Sequence, residues 1–263
     1  MPTRPSSPGR RRPCFNHPPM QLQEILYSQG FGTRRVCCGL IQQGHVAVGN
    51  PARLCTDATA DFEPEGLEFT IQGKAWQYHE HAYLMLNKPT GHECSQKPGA
   101  WPSIYTLLPA PLRSRPSGAA SGVQAVGRLD QDTTGLLLLS DDGKFIHRLS
   151  SPRHHVPKVY VATCKHPVTQ QMVDKLLAGV VLEDDPKPVK ASACRALDEH
   201  VLELTLTEGK YHQVKRMVAA VSNRVEALHR SRIGDIDLPA DLAPGQWRWL
   251  TAEEVAGLVA ARP

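Results

Sequence analysis

No stretch of this 263-residue chain strings together the roughly 18 apolar residues that a membrane-crossing helix requires. Its start also lacks the apolar core of a secretory leader, so the sequence predicts neither insertion nor export and points to the cytoplasm. The seven cysteines form no CxxC pair, and an odd, scattered set that includes adjacent Cys37 and Cys38 does not make a disulfide framework. His79 and His81 supply the one HxH, too little for a structural zinc site. No metal is expected, and no internal repeat is visible.

Excess charge is missing too, once its position is considered. The net charge is +4, but Arg4, Arg10, Arg11 and Arg12 meet no acid before Met20. Without them, 26 basic residues face 26 acidic ones. A nucleic-acid partner must therefore be argued from local patches, not from the total.

What is present divides into four parts. Residues 1–19, rich in Pro, Arg and Ser, read as a disordered basic tail. In residues 20–62, Leu22, Ile25 and Leu26 fall at helical spacing, Gly30 and Gly32 break it, and Val36, Leu40 and Ile41 resume it. The second helix starts at Thr33, with Arg34 and Arg35 in its first turn, and Val46 and Val48 then alternate into a Gly49–Asn50 turn. Residues 63–80 are polar and contain glycine, which predicts a linker. From residue 81 onward, strands are predicted at 83–89, 158–164 and 200–209. Helices are predicted around 168–180, ending near Gly179, and from His212 to Ala220; Thr251 and Glu254 have capping-box spacing for a last one. This interspersed order, without a regular βαβ rhythm, predicts an α+β fold with a mixed, largely antiparallel sheet flanked by helices.

The densest chemistry lies in "GRLDQDTTGLLLLSDDG", residues 127–143, where four aspartates surround four leucines. Asp130-Gln131-Asp132-Thr133-Thr134 fits DxDxT, a phosphatase pattern, but such a loop follows its buried strand, and here the leucines come after. Asp130, Asp132, Thr134, Gly135 and Asp141 also match EF-hand positions 1, 3, 5, 6 and 12, yet position 12 is not Glu and no helices are predicted to flank the loop. A third reading makes Gly127 a turn, Arg128 and Asp130 polar groups on a loop, and Thr133 to Gly135 the start of a buried strand. Asp141, Asp142 and Gly143 then form its exit turn. Only Asp130 is left without a structural task.

That segment resembles the signature around the aspartate of RNA pseudouridine synthases. "LNKPTG" (86–91), "SPRHHVPKVYVA" (151–162) and "EGKYHQVKRMVAAVSN" (208–223) resemble further segments of the same family in the same order. The N-terminal part resembles an S4 RNA-binding domain, with His45 where a basic residue is common. The likeness runs from Met20 onward, and "SPRHH" and "YHQVKRM" favour the small-subunit rRNA branch, RsuA type, over its large-subunit relatives.

The resemblance implies conversion of one uridine of 16S rRNA, near the decoding region, to pseudouridine. The substrate would be that RNA or a partly assembled small subunit, and the enzyme a monomer without a cofactor. It assigns Asp130 as the catalytic carboxylate, Lys215 as its cation and Tyr160 as the ring that packs on the target uracil. Arg128 would fill the gap left by the flipped base, and Arg34, Arg35, Lys88, Lys210 and Arg216 would contact RNA. Between Glu208 and Arg232, six cations (Lys210, Lys215, Arg216, Arg224, Arg230 and Arg232) outnumber Glu208 and Glu226, forming an expected RNA-facing patch. A non-catalytic RNA-binding assembly protein is the alternative of a different class.

Overall fold

The computed structural model describes residues 18–117, 120–182 and 185–260, so the expected basic tail lies almost wholly outside them. The chain forms two compact units that meet in sequence at Glu80 and His81.

In the first unit, helices α1 (Leu22–Ser28) and α2 (Arg34–Gln42) precede a four-stranded antiparallel sheet of β1 (Val46–Val48), β2 (Arg53–Leu54), β3 (Glu68–Ile71) and β4 (Lys74–Gln77), in the order β2-β1-β3-β4. Helix α2 starts where the sequence suggests: the Thr33 hydroxyl accepts a hydrogen bond from the Val36 amide at 3.3 Å. Leu22, Ile25 and Leu26 of α1, Cys37 and Ile41 of α2, and Phe69 and Ile71 of β3 share one core.

The expected linker at residues 63–80 is corrected by β3 and β4, which fall inside it. Phe69 and Ile71 alternate inward, and the strands join through Gln72 and Gly73, both at positive φ, the geometry a two-residue hairpin needs. Gln29, fully buried, fastens the far end, donating to the His79 carbonyl at 2.9 Å and accepting from the His79 amide at 3.1 Å. Glutamates and glycines around these strands hide a period-2 pattern of only two core residues.

The second unit is built on a sheet whose main strands are β5 (Tyr83–Lys88), β6 (Thr133–Ser140), β7 (Lys158–Cys164), β8 (Ala193–Asp198), β9 (Val201–Leu206), β10 (Val225–Ile233) and β11 (Trp247–Trp249), in the order β8-β9-β7-β10-β6-β5-β11. Its helices include α3 (Gly143–Ser150), α4 (Gln170–Ala178), α5 (Gln213–Ala220) and α6 (Ala252–Val259). Strands β6 and β10 pair in parallel, and the other pairs along this path are antiparallel, so the sheet is mixed and largely antiparallel. Leu136 and Leu138 of β6 pack with Phe145 and Leu149 of α3 and Leu258 of α6. Leu137 and Leu139 point the other way and are equally buried, which explains an unbroken leucine run where a half-exposed strand would alternate.

Two features pin β6. Gly135 has φ +103°, and a Cβ there would lie 2.3 Å from the Arg230 carbonyl oxygen, so only glycine lets β10 approach this closely. At the other end, the expected exit turn proves more specific than a turn. Asp142 caps α3, accepting from the amides of Lys144 (2.8 Å) and Phe145 (3.3 Å) and from the Tyr83 hydroxyl (2.8 Å). Asp141 is buried against Arg115, whose Nε donates to it at 2.6 Å, while the Ala82 amide donates to its other oxygen at 2.8 Å. The capping box of α6 forms as its spacing suggests, Thr251 and Glu254 each binding the other's backbone amide.

Candidate active site

Asp130 sits in a tight turn just before β6, where its carbonyl accepts from the Thr133 amide at 3.1 Å. The turn rests on Lys88, the last residue of β5, which the sheet register places opposite Gly135. Lys88 is wholly buried; its ammonium donates to the carbonyls of Thr133 (2.9 Å), Pro89 (3.0 Å) and Gln131 (3.2 Å). Burial pulls its pKa below the usual lysine range, partly offset by Cys94, Asp132 and Asp130. The Gly91 amide also donates to Gln131 O at 2.8 Å. The expected RNA contact by Lys88 is thereby corrected: a side chain with no exposed surface cannot touch RNA, and this one anchors the loop. Replacing Lys88 by Met is expected to lower stability by about 3 kcal/mol and to slow catalysis by loosening the turn, measured by urea unfolding beside a single-turnover assay.

Asp130 faces helix α5, where Lys215 Nζ lies 3.1 Å from Oδ2 and His212 Nε2 lies 3.3 Å from Oδ1. Lys215 also grips Asp132, donating at 2.7 and 2.9 Å. Asp130 and Lys215, which the sequence resemblance pairs, thus stand within ion-pair distance. The pair is only partly buried, since both side chains keep more than a quarter of their surface exposed. Partial burial pushes the Asp132 carboxyl up, but the hydrogen bonds and charge of Lys215 outweigh this and hold it below the usual carboxylate range. Lys215 is conversely raised by the two aspartates, against the effect of burial.

These groups line a cavity of about 660 Å³ whose floor is the sheet, through Lys158 and Tyr160 of β7 and Leu228 and Arg230 of β10. Tyr160 is buried and lines it directly, as do Arg128 and Lys210. Three groups were not singled out by sequence reasoning. His212 stands at φ +47° just before α5, with the exposed Tyr211 ring stacked on its imidazole at 3.8 Å. Asp132 belonged to the discarded DxDxT pattern. Lys158 sits in a quoted motif, two residues from the tyrosine that drew attention.

Several expected RNA contacts take other positions. Arg216 is absent from the cavity lining and donates to the Tyr211 carbonyl at 3.0 Å, because successive helical residues point about 100° apart. In the basic patch, Arg224 pairs with Glu226 and Arg232 with Asp237, and Arg230 is buried. Only part of that patch is thus open to phosphate. In the first unit Arg34 pairs with Glu24 and lies over the Tyr27 ring, while Arg35 is exposed. Among the described residues, no group of three His, Cys, Asp or Glu side chains could hold a metal ion, and no helix is long and apolar enough to cross a membrane.

Residues 82–220 match the family model for RNA pseudouridylate synthase. The chain belongs to that family. The synthase is 40% identical over 243 residues to the ribosomal small subunit pseudouridine synthase A of Pasteurella multocida (strain Pm70), covering 90% of this chain and 98% of the relative. It is 45% identical over 183 residues to the protein of the same name from Escherichia coli (strain K12), covering 70% and 76%. A solved structure described as a pseudouridylate synthase superposes with a TM-score of 0.63 at 34% identity, covering 91% of this chain and all of the other. The synthase is thus an isomerase of uridine in RNA. A turn before β6, helix α5 and strand β7 bring Asp130, Lys215 and Tyr160, distant in sequence, to one cavity.

Proposed function

We propose that the synthase converts one uridine of small-subunit ribosomal RNA to pseudouridine, with Asp130 as the carboxylate that acts at the sugar. The observation that carries this reading is the Asp130 carboxylate held at both oxygens, by Lys215 and His212, in the cavity that Tyr160 floors. The names of the relatives support the choice of RNA.

The reaction breaks the bond from N1 to C1′, turns the uracil and rejoins it through C5. A carboxylate must therefore face C1′ while the ring stays bound. Lys215 and His212 fix the plane of Asp130, and Tyr160 offers the ring a stacking face worth roughly 1 to 3 kcal/mol. Arg128, exposed beside the turn, is placed to fill the stack that a flipped nucleotide leaves. No redox step is involved. The first unit acts as an S4-like RNA-binding module and docks RNA outside the cavity, with exposed Arg35 among its contacts. The target is 16S rRNA, free or within a partly assembled small subunit, and the enzyme works as a monomer.

Tritium release from RNA labelled at uridine C5 tests the reading. The wild-type protein is expected to release label from 16S transcript or partly assembled small subunits and not from 23S transcript. Release from 23S alone would overturn the choice of RNA, and silence on all three would favour a non-catalytic assembly role.

A further inference from the structure

Two cations on the cavity floor have no task in the roles above. Arg230 is 2% exposed; its Nε donates to the Leu136 carbonyl at 2.7 Å, Nη1 reaches the Tyr160 hydroxyl at 3.5 Å, and Nη2 has no acceptor among the described residues. Lys158 stands two residues before Tyr160 on β7, hence on the same face of the sheet, and donates to the Val156 carbonyl at 3.1 Å. The cavity's aspartates, Asp130 and Asp132, are engaged by Lys215 and His212 instead, and no carboxylate pairs with Lys158 or Arg230 among the described residues. Burial, then the charge of Arg230, brings the Lys158 pKa down to about 8. Arg230 is buried and Lys158 half-buried, and desolvating cations without a counter-charge is costly, which fits a site where negative charge develops during turnover.

We propose that Lys158 and Arg230 hold the target uracil by its carbonyl oxygens and stabilise the negative charge it carries while detached from the sugar. This rests on the pseudouridine reading above. When the N1–C1′ bond breaks, both electrons stay with N1, and the charge spreads to O2 and O4. The electron-poor sugar carbon remains beside Asp130. On rejoining, C5 supplies the electron pair for the new bond to C1′, the C5 proton leaves to solvent and N1 takes one up, so no oxidant or reductant is needed. Position favours the base over a phosphate. The Arg230 guanidinium carbon lies over the Tyr160 ring at 5.9 Å from its centroid, with Nη1 3.5 Å from the hydroxyl, so a uracil held by Tyr160 lies within reach of it. Backbone phosphates stay with the strand outside and meet the rim.

Preorganised donors at a developing anion are each worth about 10²- to 10³-fold in rate. Lys158→Met is expected to lose that much in single-turnover rate at saturating RNA, with a much smaller loss of RNA affinity, and Lys158→Arg to recover most of the rate. The charged form is the active one, so the wild-type rate falls as pH rises through about 8. Arg230 faces Lys158 from β10, and Glu208, Asp130, His212 and Lys215 share the cavity. Only the limb due to Lys158 disappears in Lys158→Arg, because a guanidinium stays charged. A probe that needs no turnover is 5-nitrouracil, which is ionised at neutral pH: the wild type should bind it more tightly than uracil, and Lys158→Met should lose that preference. An unchanged alkaline limb in Lys158→Arg, or an unchanged preference in Lys158→Met, overturns the proposal. A wild type that releases no tritium from any RNA overturns the pseudouridine reading and this inference with it. A reacting wild type matched by Lys158→Met overturns this inference alone.

Discussion

Asp130→Asn is expected to slow pseudouridine formation by at least about 10⁴-fold, the scale on which loss of a group that acts directly on the reacting atoms registers. Stability should change by only about 0.5 kcal/mol, as for partly exposed positions, and RNA binding should be retained. The geometry explains why chemistry and folding separate here. The turn is held by the Asp130 backbone carbonyl and by Lys88 beneath it, neither of which the substitution alters. Lys215 also keeps a full counter-ion, since Asp132 accepts from it at 2.7 and 2.9 Å. Single-turnover formation of pseudouridine, measured beside RNA affinity and thermal unfolding, checks all three. Turnover at the wild-type level would remove Asp130 from its assigned role.

The second large effect concerns folding. Asp141→Asn is expected to destabilise the synthase by roughly 3 to 5 kcal/mol, because it removes one charge of a buried ion pair. Arg115 is 2% exposed and Asp141 4%, so water cannot replace the lost contact. For a domain of this size that corresponds to a fall in Tm of roughly 10 °C. The double variant Arg115→Met, Asp141→Asn should recover a substantial part of the loss, because it removes both charges of the pair from the interior. Calorimetry on the single and double variants decides; equal destabilisation of both would mean that the charge pair is not what matters.

Much of this was legible in the sequence because period and punctuation agree with the final packing. Strand β7 spans Lys158–Cys164 as expected, and α5 begins one residue after the expected start. Residues 63–80 misled because glutamates and glycines masked a strand pair that buries just two side chains. In the site, Asp130, Tyr160 and Lys215 came from resemblance, and their convergence depends on a parallel pairing of β6 and β10 that no local pattern announces. Lys88 was misread, and Arg216 stands outside the cavity, for a common reason. Sequence reveals that a side chain is charged, whereas burial and helical phase decide what it meets. His212 was visible in "YHQVKRM", but only its left-handed backbone turns it toward Asp130.

Strand β6 carries one acid cluster beyond each end, and its eight residues rise roughly 3.3 Å apiece, so about 23 Å separates Thr133, beside the Asp130 turn, from Ser140, beside Asp141. Perturbations farther apart than roughly 7 to 10 Å, with no shared partner, usually add independently. The leucine run is therefore an insulating spacer. Lineages can drift or be engineered for thermal tolerance at the Asp141 end without retuning the catalytic end, and the same strand that welds the turn to the core keeps the two histories apart.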